Sequence, residues 1–188
     1  MRLFVGVELN ETVRRSAAAI AAALAERLGR HVKARWIPGD NLHITLWFIG
    51  HVTDDRAQQI LRTIDTPFAT RAFELQVAGL GAFPPSGPPR VIWLGIDAGA
   101  ESLNRLHGEL ATRLAPIGIT PEPRRYSAHL TIARVSSSER GSSSSLRASI
   151  RAVAAVAGGC RVDAVTVFQS HLSPKGATYE ALLRVPLS

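Results

Sequence analysis

The chain holds one cysteine, Cys160, and one methionine in 188 residues. A single thiol excludes an intrachain disulfide framework and a cysteine-rich metal cluster, which fits a reducing compartment, and the chain is read as cytoplasmic. Acidic residues are also scarce, 15 against 22 lysines and arginines, for a net charge of +7 with histidines neutral. That balance favours polyanionic partners, nucleic acid or phosphorylated metabolites, without being specific to them. Long apolar runs are missing too. The Ala-rich stretch after Arg15 is too short to span a bilayer and has helical spacing, so no membrane association is expected. Residues 1–9 alternate through Leu3, Val5, Val7 and Leu9 as a strand does, not as a leader. What is plentiful is ordinary core material: 46% of the residues are hydrophobic, too many for a disordered chain. The length suits one domain, or two small lobes sharing a cleft.

Periodicity predicts a helix over residues 11–28, with Val13, Ala17, Ile20, Leu24 and Leu28 on one side and Gly29 to stop it. Thr53 reads as the N-cap of a second helix that turns Ala57, Ile60, Leu61 and Ile64 inward. A third is expected over 101–114 and a fourth over 146–157. Strands are expected near 33–37, 42–50, 73–77, 90–97, 127–134, 162–169 and 179–185, with Lys175-Gly176 in the last turn. The Pro-rich residues 83–89 form a stiff loop, and the Ser-rich residues 136–145 a solvated one. Helices and hairpins mix without regular βαβ alternation. The fold class is therefore α+β with mainly antiparallel sheet.

One stretch organises the rest. Over residues 42–48 the strand period of two puts Leu42, Ile44, Leu46 and Phe48 on one face, all fit for a core. His43, Thr45 and Trp47 fall on the other. The pattern returns at 127–134, where Leu130 and Ile132 take the core face and His129 and Thr131 the opposite one. A lone His-x-Thr carries little information, because threonine is common in strands. Two copies, each with apolar residues filling the alternate positions, define a site and an approximate internal duplication.

Two imidazoles facing one pocket suit phosphodiester chemistry without a metal. Histidine titrates near neutrality, so one ring can take a proton from the nucleophile while the other gives one to the leaving oxygen. A threonine hydroxyl two residues along can donate to a non-bridging phosphate oxygen, where charge gathers in the transition state. A zinc site on His43 and His129 lacks a neighbouring Asp, Glu or Cys to complete it, so no metal is assigned. Trp47 could stack on a base or simply pack at the cleft edge. Arg124 and Arg125, beside Tyr126, are either solvated or hold a nucleotide's phosphates and base. His31 and His107 read as helix-end or helix-surface residues, His51 as a loop residue, and Cys160 as packed rather than reactive.

The paired His43-Ile44-Thr45-Leu46 and His129-Leu130-Thr131-Ile132 resemble the two HxTx motifs of the 2H phosphoesterase superfamily. Within it the chain is most similar to bacterial and archaeal RNA 2′,3′-cyclic phosphodiesterases, also called 2′-5′ RNA ligases. Residues 1–9, 36–50, 83–95, 126–134 and 170–179 look like family segments in family order. The resemblance implies one bilobal domain over residues 1–188, its two similar lobes of mainly antiparallel sheet carrying outer helices and enclosing a central cleft. It implies one motif per lobe and neither metal nor cofactor. His43 would be the general acid and His129 the base, with Thr45 and Thr131 on the phosphate. Where the family often has proline before the second histidine, this chain has Ala128. The implied partner is RNA with a 2′,3′-cyclic phosphate end, opened to a 2′-phosphomonoester by a monomer, with weak 2′-5′ ligation beside it. The alternatives are a phosphodiesterase on 2′-5′ oligonucleotides or small cyclic nucleotides, and a non-catalytic RNA-binding module.

Overall fold

A computed structural model describes residues 1–29, 32–138, 142–153, 155–174 and 176–188. The chain opens with strand β1 (Arg2–Glu8) and helix α1 (Glu11–Leu28). Asn10 caps the helix, its side-chain oxygen accepting from Val13 N at 2.9 Å, and Gly29 ends it at φ 56°. Strand β2 (Val32–Trp36) leads through a 3₁₀ turn over Gly39–Asn41 into β3 (His43–His51). Helix α2 (Asp54–Ile64) starts at the Thr53 cap, as expected. Then come β4 (Phe73–Phe83), β5 (Val91–Ala98), α3 (Ala100–Leu114), β6 (Leu130–Ser138), α4 (Ser142–Arg151), β7 (Val156–Val162), β8 (Ala164–Ser173) and β9 (Gly176–Pro186). Among the described residues no helix is long and apolar enough to cross a membrane.

The strands run in the order β7-β4-β5-β6-β3-β1-β8-β9, with β2 added to β6, and every named pair is antiparallel. This is two four-stranded halves meeting at the two motif strands. Each half borrows from the other part of the sequence. β2, from early in the chain, adds to β6, while β8 returns from late in the chain to pair with β1. Helices α1 and α4 pack on β7 and β4, and α3 packs on β3 with α2 against it. Their buried stripes, Val13, Ala17 and Leu24 on α1 and Leu103, Leu106 and Leu110 on α3, close one face of the sheet. The opposite face between the halves stays open as the cleft. The α+β class with two similar lobes holds.

Two boundaries differ from the sequence reading. The fourth helix ends at Arg151, and β7 (Val156–Val162) begins within the last two residues of the expected helix. Gly158 (φ 97°) and Gly159 within that segment are poor helix formers, and β7 gains a full ladder against β4 instead. The Ser-rich loop is largely structured, since β6 runs to Ser138 and α4 begins at Ser142. Residues 139–141, His31 and Lys175 lie outside the described residues.

Candidate active site

Among the described residues the two halves of the sheet are joined by a single β3–β6 ladder pair, Ile44 opposite Leu130. Both side chains are fully buried. Each is the middle residue of a His-x-Thr triplet, so the outer residues of both triplets point away from the core, onto the cleft face. Counting outward along antiparallel strands, His43 stands across from Thr131, and Thr45 across from His129. The two histidines are then diagonal neighbours, about 7–8 Å apart at the backbone in a regular ladder.

The imidazoles are held alike. His43 Nδ1 lies 2.8 Å from Asn41 O, and His129 Nδ1 lies 2.7 Å from Ser127 O, each the carbonyl two residues earlier. A carbonyl only accepts, so Nδ1 carries the hydrogen in both rings, and in a neutral ring Nε2 is the bare nitrogen. His43 Nε2 sits 3.0 Å from Thr45 Oγ1. Asn41 is itself fixed, its side-chain amide donating to Ala177 O at 2.6 Å. Gly6 on β1 lies opposite Thr45, and a Cβ there would meet Ile44 O at 2.7 Å and His43 Cδ2 at 3.4 Å. Only glycine leaves room for the ring.

Burial pushes His43 below the ordinary histidine value, the Asn41 carbonyl working against it and the Arg134 charge adding to it. His129 is lowered likewise, by burial first, against its bond to Ser127 O, and then by Arg134 and Arg124. One guanidinium therefore acts on both rings. Sequence alternation missed Arg134, and the reason is structural. The β5–β6 register slips between Ile92 and Trp93, so Ile132 and Ala133 both turn to the core and Arg134 returns to the cleft face. The same device operates on β3. The β1–β3 register slips between Val5 and Gly6, so Leu46 and Trp47 both turn inward.

That slip corrects the reading of residues 47 and 48. Trp47 does not share the His43 face: it is 5% exposed and stacks on His107, ring centroids 4.9 Å apart. Phe48, expected in the core, is 56% exposed. His107, expected at a helix end or surface, is half-buried on α3. It lies between Trp47 and Tyr126, whose ring stacks on it at 4.4 Å and 9°. Tyr126 donates from Oη to Thr45 O at 3.1 Å, and burial pushes its phenol far above the usual range. Of the two arginines, Arg124 reaches the site, its Cζ 5.0 Å from the Phe83 ring centre and its charge felt by His129. Arg125 is exposed. His171 pairs with Glu180 at 2.9 Å on the β8–β9 hairpin, His51 closes β3, and Cys160 is buried with its thiol pushed up by burial.

Aromatic rings back both histidines. Phe4 lies 4.7 Å from His43 and stacks on Phe168 at 4.9 Å, with Tyr179 edge-on to His43 at 5.1 Å. Phe83 meets His129 edge-on at 5.0 Å. The site is thus a pair of imidazoles on apolar backing, two hydroxyls and a shared cation. Among the described residues no three His, Cys, Asp or Glu side chains gather as a metal site would require.

A profile of LigT-like phosphoesterases matches the chain twice, over residues 7–93 and again over 94–179. The chain belongs to the LigT-like phosphoesterase family. The double match starts in β1 and again in β5, so the two histidines fall at nearly the same distance into each repeat, and the duplication is real. Proteins named RNA 2′,3′-cyclic phosphodiesterase are similar over most of its length. The one from Archaeoglobus fulgidus is 32% identical over 182 residues, covering 97% of this chain and 98% of its own. That from Aeropyrum pernix is 32% identical over 158 residues, covering 82% and 86%. Among solved structures, a Thermus thermophilus protein superposes with a TM-score of 0.75 at 25% identity, over 99% of this chain and 97% of that one. Escherichia coli LigT in its apo form gives 0.76 at 23% identity, over 100% and 97%, a likeness of fold.

Proposed function

We propose that this LigT-like phosphoesterase is an RNA 2′,3′-cyclic phosphodiesterase that opens the terminal cyclic phosphate to a 2′-phosphomonoester by paired histidine catalysis. The observation that carries the reading is the Ile44–Leu130 pair, which sets two His-x-Thr triplets side by side on one open face. The relatives' shared name, at about a third identity over nearly the whole chain, supports the substrate.

In the forward direction the neutral His129 takes a proton from water at Nε2 as the water oxygen bonds to phosphorus. The P–O3′ bond breaks, and protonated His43 gives its Nε2 proton to that oxygen. The product carries the phosphate on O2′ and a free 3′-hydroxyl. His129 suits the base role because Arg124 adds to Arg134 in favouring its neutral form. Thr45, Thr131 and Arg134 face the non-bridging oxygens, where donors and a cation favour the gathering charge. A 5′-hydroxyl in place of water would lose its proton to the same ring and leave a 2′-5′ linkage. The work falls to a monomer in the cytoplasm and needs no cofactor.

The test is incubation of purified protein with a cyclic-phosphate oligonucleotide in EDTA, with phosphorus NMR of the product. The expected outcome is undiminished turnover to the 2′-phosphate alone. Turnover that vanishes in EDTA and returns with zinc or manganese would replace this reading with a metallophosphoesterase.

A further inference from the structure

A strip of cations leaves the cleft along β2. That strand stands outside the four-plus-four order and pairs only with β6 among the described residues, in the register Arg35 opposite Arg134. Directly opposed residues of an antiparallel pair share a face, so Arg35 lies on the cleft face with Arg134. Lys33, two residues away, repeats that face about 7 Å along the strand. Val32, Ala34 and Trp36 turn to the core and are partly buried, while Lys33 and Arg35 are exposed.

Like charges directly opposite one another destabilise a sheet. Among the described residues no carboxylate pairs with Lys33, Arg35 or Arg134. An anion bound between the two guanidinium groups would relieve that opposition. The strip is also tied to the catalytic strand. Ile37 N donates to Ile132 O at 2.9 Å, and the chain then turns through Gly39–Asn41 directly to the carbonyl that holds His43. The other lobe is built differently, because the position matching Arg134 is the exposed Phe48. Arg35 and Lys33 thus extend the cation at Arg134 along the β2 side of the cleft.

We infer that Arg35 and Lys33 form a subsite for the phosphodiester backbone of the nucleotides preceding the cyclic phosphate. It makes an oligonucleotide end, rather than a cyclic mononucleotide, the preferred substrate. This rests on the cyclic phosphodiesterase reading above. Phosphate contacts of this kind fix register without reading bases, so the preference is for chain length and not for sequence.

The double variant Lys33→Gln/Arg35→Gln tests it, with Arg62→Gln on the outer face of α2 as a control for net charge. Binding is read by fluorescence anisotropy of a single-stranded RNA carrying a 2′-phosphate end, as a function of salt. Turnover is read on a cyclic-phosphate oligonucleotide and on a nucleoside 2′,3′-cyclic monophosphate. Each lost cation should flatten the log–log salt slope by about 0.7, so about 1.4 for the pair. Turnover per KM on the oligonucleotide should fall about three- to tenfold, with the mononucleotide unchanged and Arg62→Gln close to wild type in both assays. An unchanged salt slope, equal losses on the two substrates, or the same flattening in the control would overturn the subsite. Wild-type protein that opens neither substrate would overturn the activity instead, and the binding slopes would still decide the strip.

Discussion

At the scale of single residues, the site depends on where protons sit. Both Nδ1 atoms face backbone carbonyls at 2.7–2.8 Å, which leaves each Nε2 for the proton transfer proposed above. His43→Ala or His129→Ala should each cost about 100- to 10,000-fold in turnover, the usual worth of a general acid or base. Thr45→Ala and Thr131→Ala should cost less, since each removes one hydroxyl bond. Threonine variants as inactive as the histidine variants would show the roles to be assigned wrongly. Gly6 is as confined as the histidines. A Cβ only 2.7 Å from Ile44 O forces the strand or the His43 ring to move. Gly6→Ala should therefore destabilise by about 1–3 kcal/mol and reduce kcat, measured by urea denaturation and steady-state kinetics. Wild-type values in both would mean that the pocket yields freely.

At the scale of elements, the two motif strands follow one plan that alternation alone could not reveal. His43 and Thr45, and His129 and Thr131, were legible because they precede the bulge in each strand. Trp47, Phe48 and Arg134 follow it, and one extra residue in a strand flips every later side chain to the other face. A bulge depends on the partner strand, here β1 and β5, which lie far away in sequence. For the same reason His107 was read as a surface residue. Its environment is a three-ring stack assembled from α3, β3 and the segment before β6. Helices α1, α2 and α3 were legible through capping and apolar spacing, which are local properties. The fourth helix was overextended because β7 is stabilised by pairing with β4, a distant partner. The stack makes a prediction of its own. Tyr126→Phe keeps the ring against His107 but loses the bond to Thr45 O, so kcat should fall by roughly 2- to 12-fold, the worth of one net hydrogen bond, with the melting profile little changed. Trp47→Ala should instead cost about 3–5 kcal/mol of stability, as loss of a buried indole does.

At the scale of the whole molecule, the histidines shifted by burial should link folding and the proposed catalysis to pH. His43, His107 and His129 are all lowered from 6.5, chiefly by burial. The unfolded chain then binds protons more readily than the folded one below that value. Their stabilising effect is complete above 6.5 and is lost as pH falls through the lowered values. Urea midpoints should therefore drop between pH 7 and pH 5, and a nucleotide bearing a 2′-phosphate should narrow the drop, since an anion beside the rings raises their pKa values. The same balance governs turnover. In the free protein both rings are lowered, so kcat/KM should be bell-shaped with its optimum on the acid side of 6.5. Bound phosphate shifts the kcat profile to higher pH. The limbs belong to the interacting pair until variants separate them. The most direct test of two histidines, one from each lobe, working on one phosphate is this kcat/KM profile for wild type and for the residual activity of His43→Ala and His129→Ala, with chemistry rate-limiting. Loss of the acidic limb in His129→Ala and of the basic limb in His43→Ala is the expected result, and a wild-type profile flat from about pH 5 to 9 would contradict it.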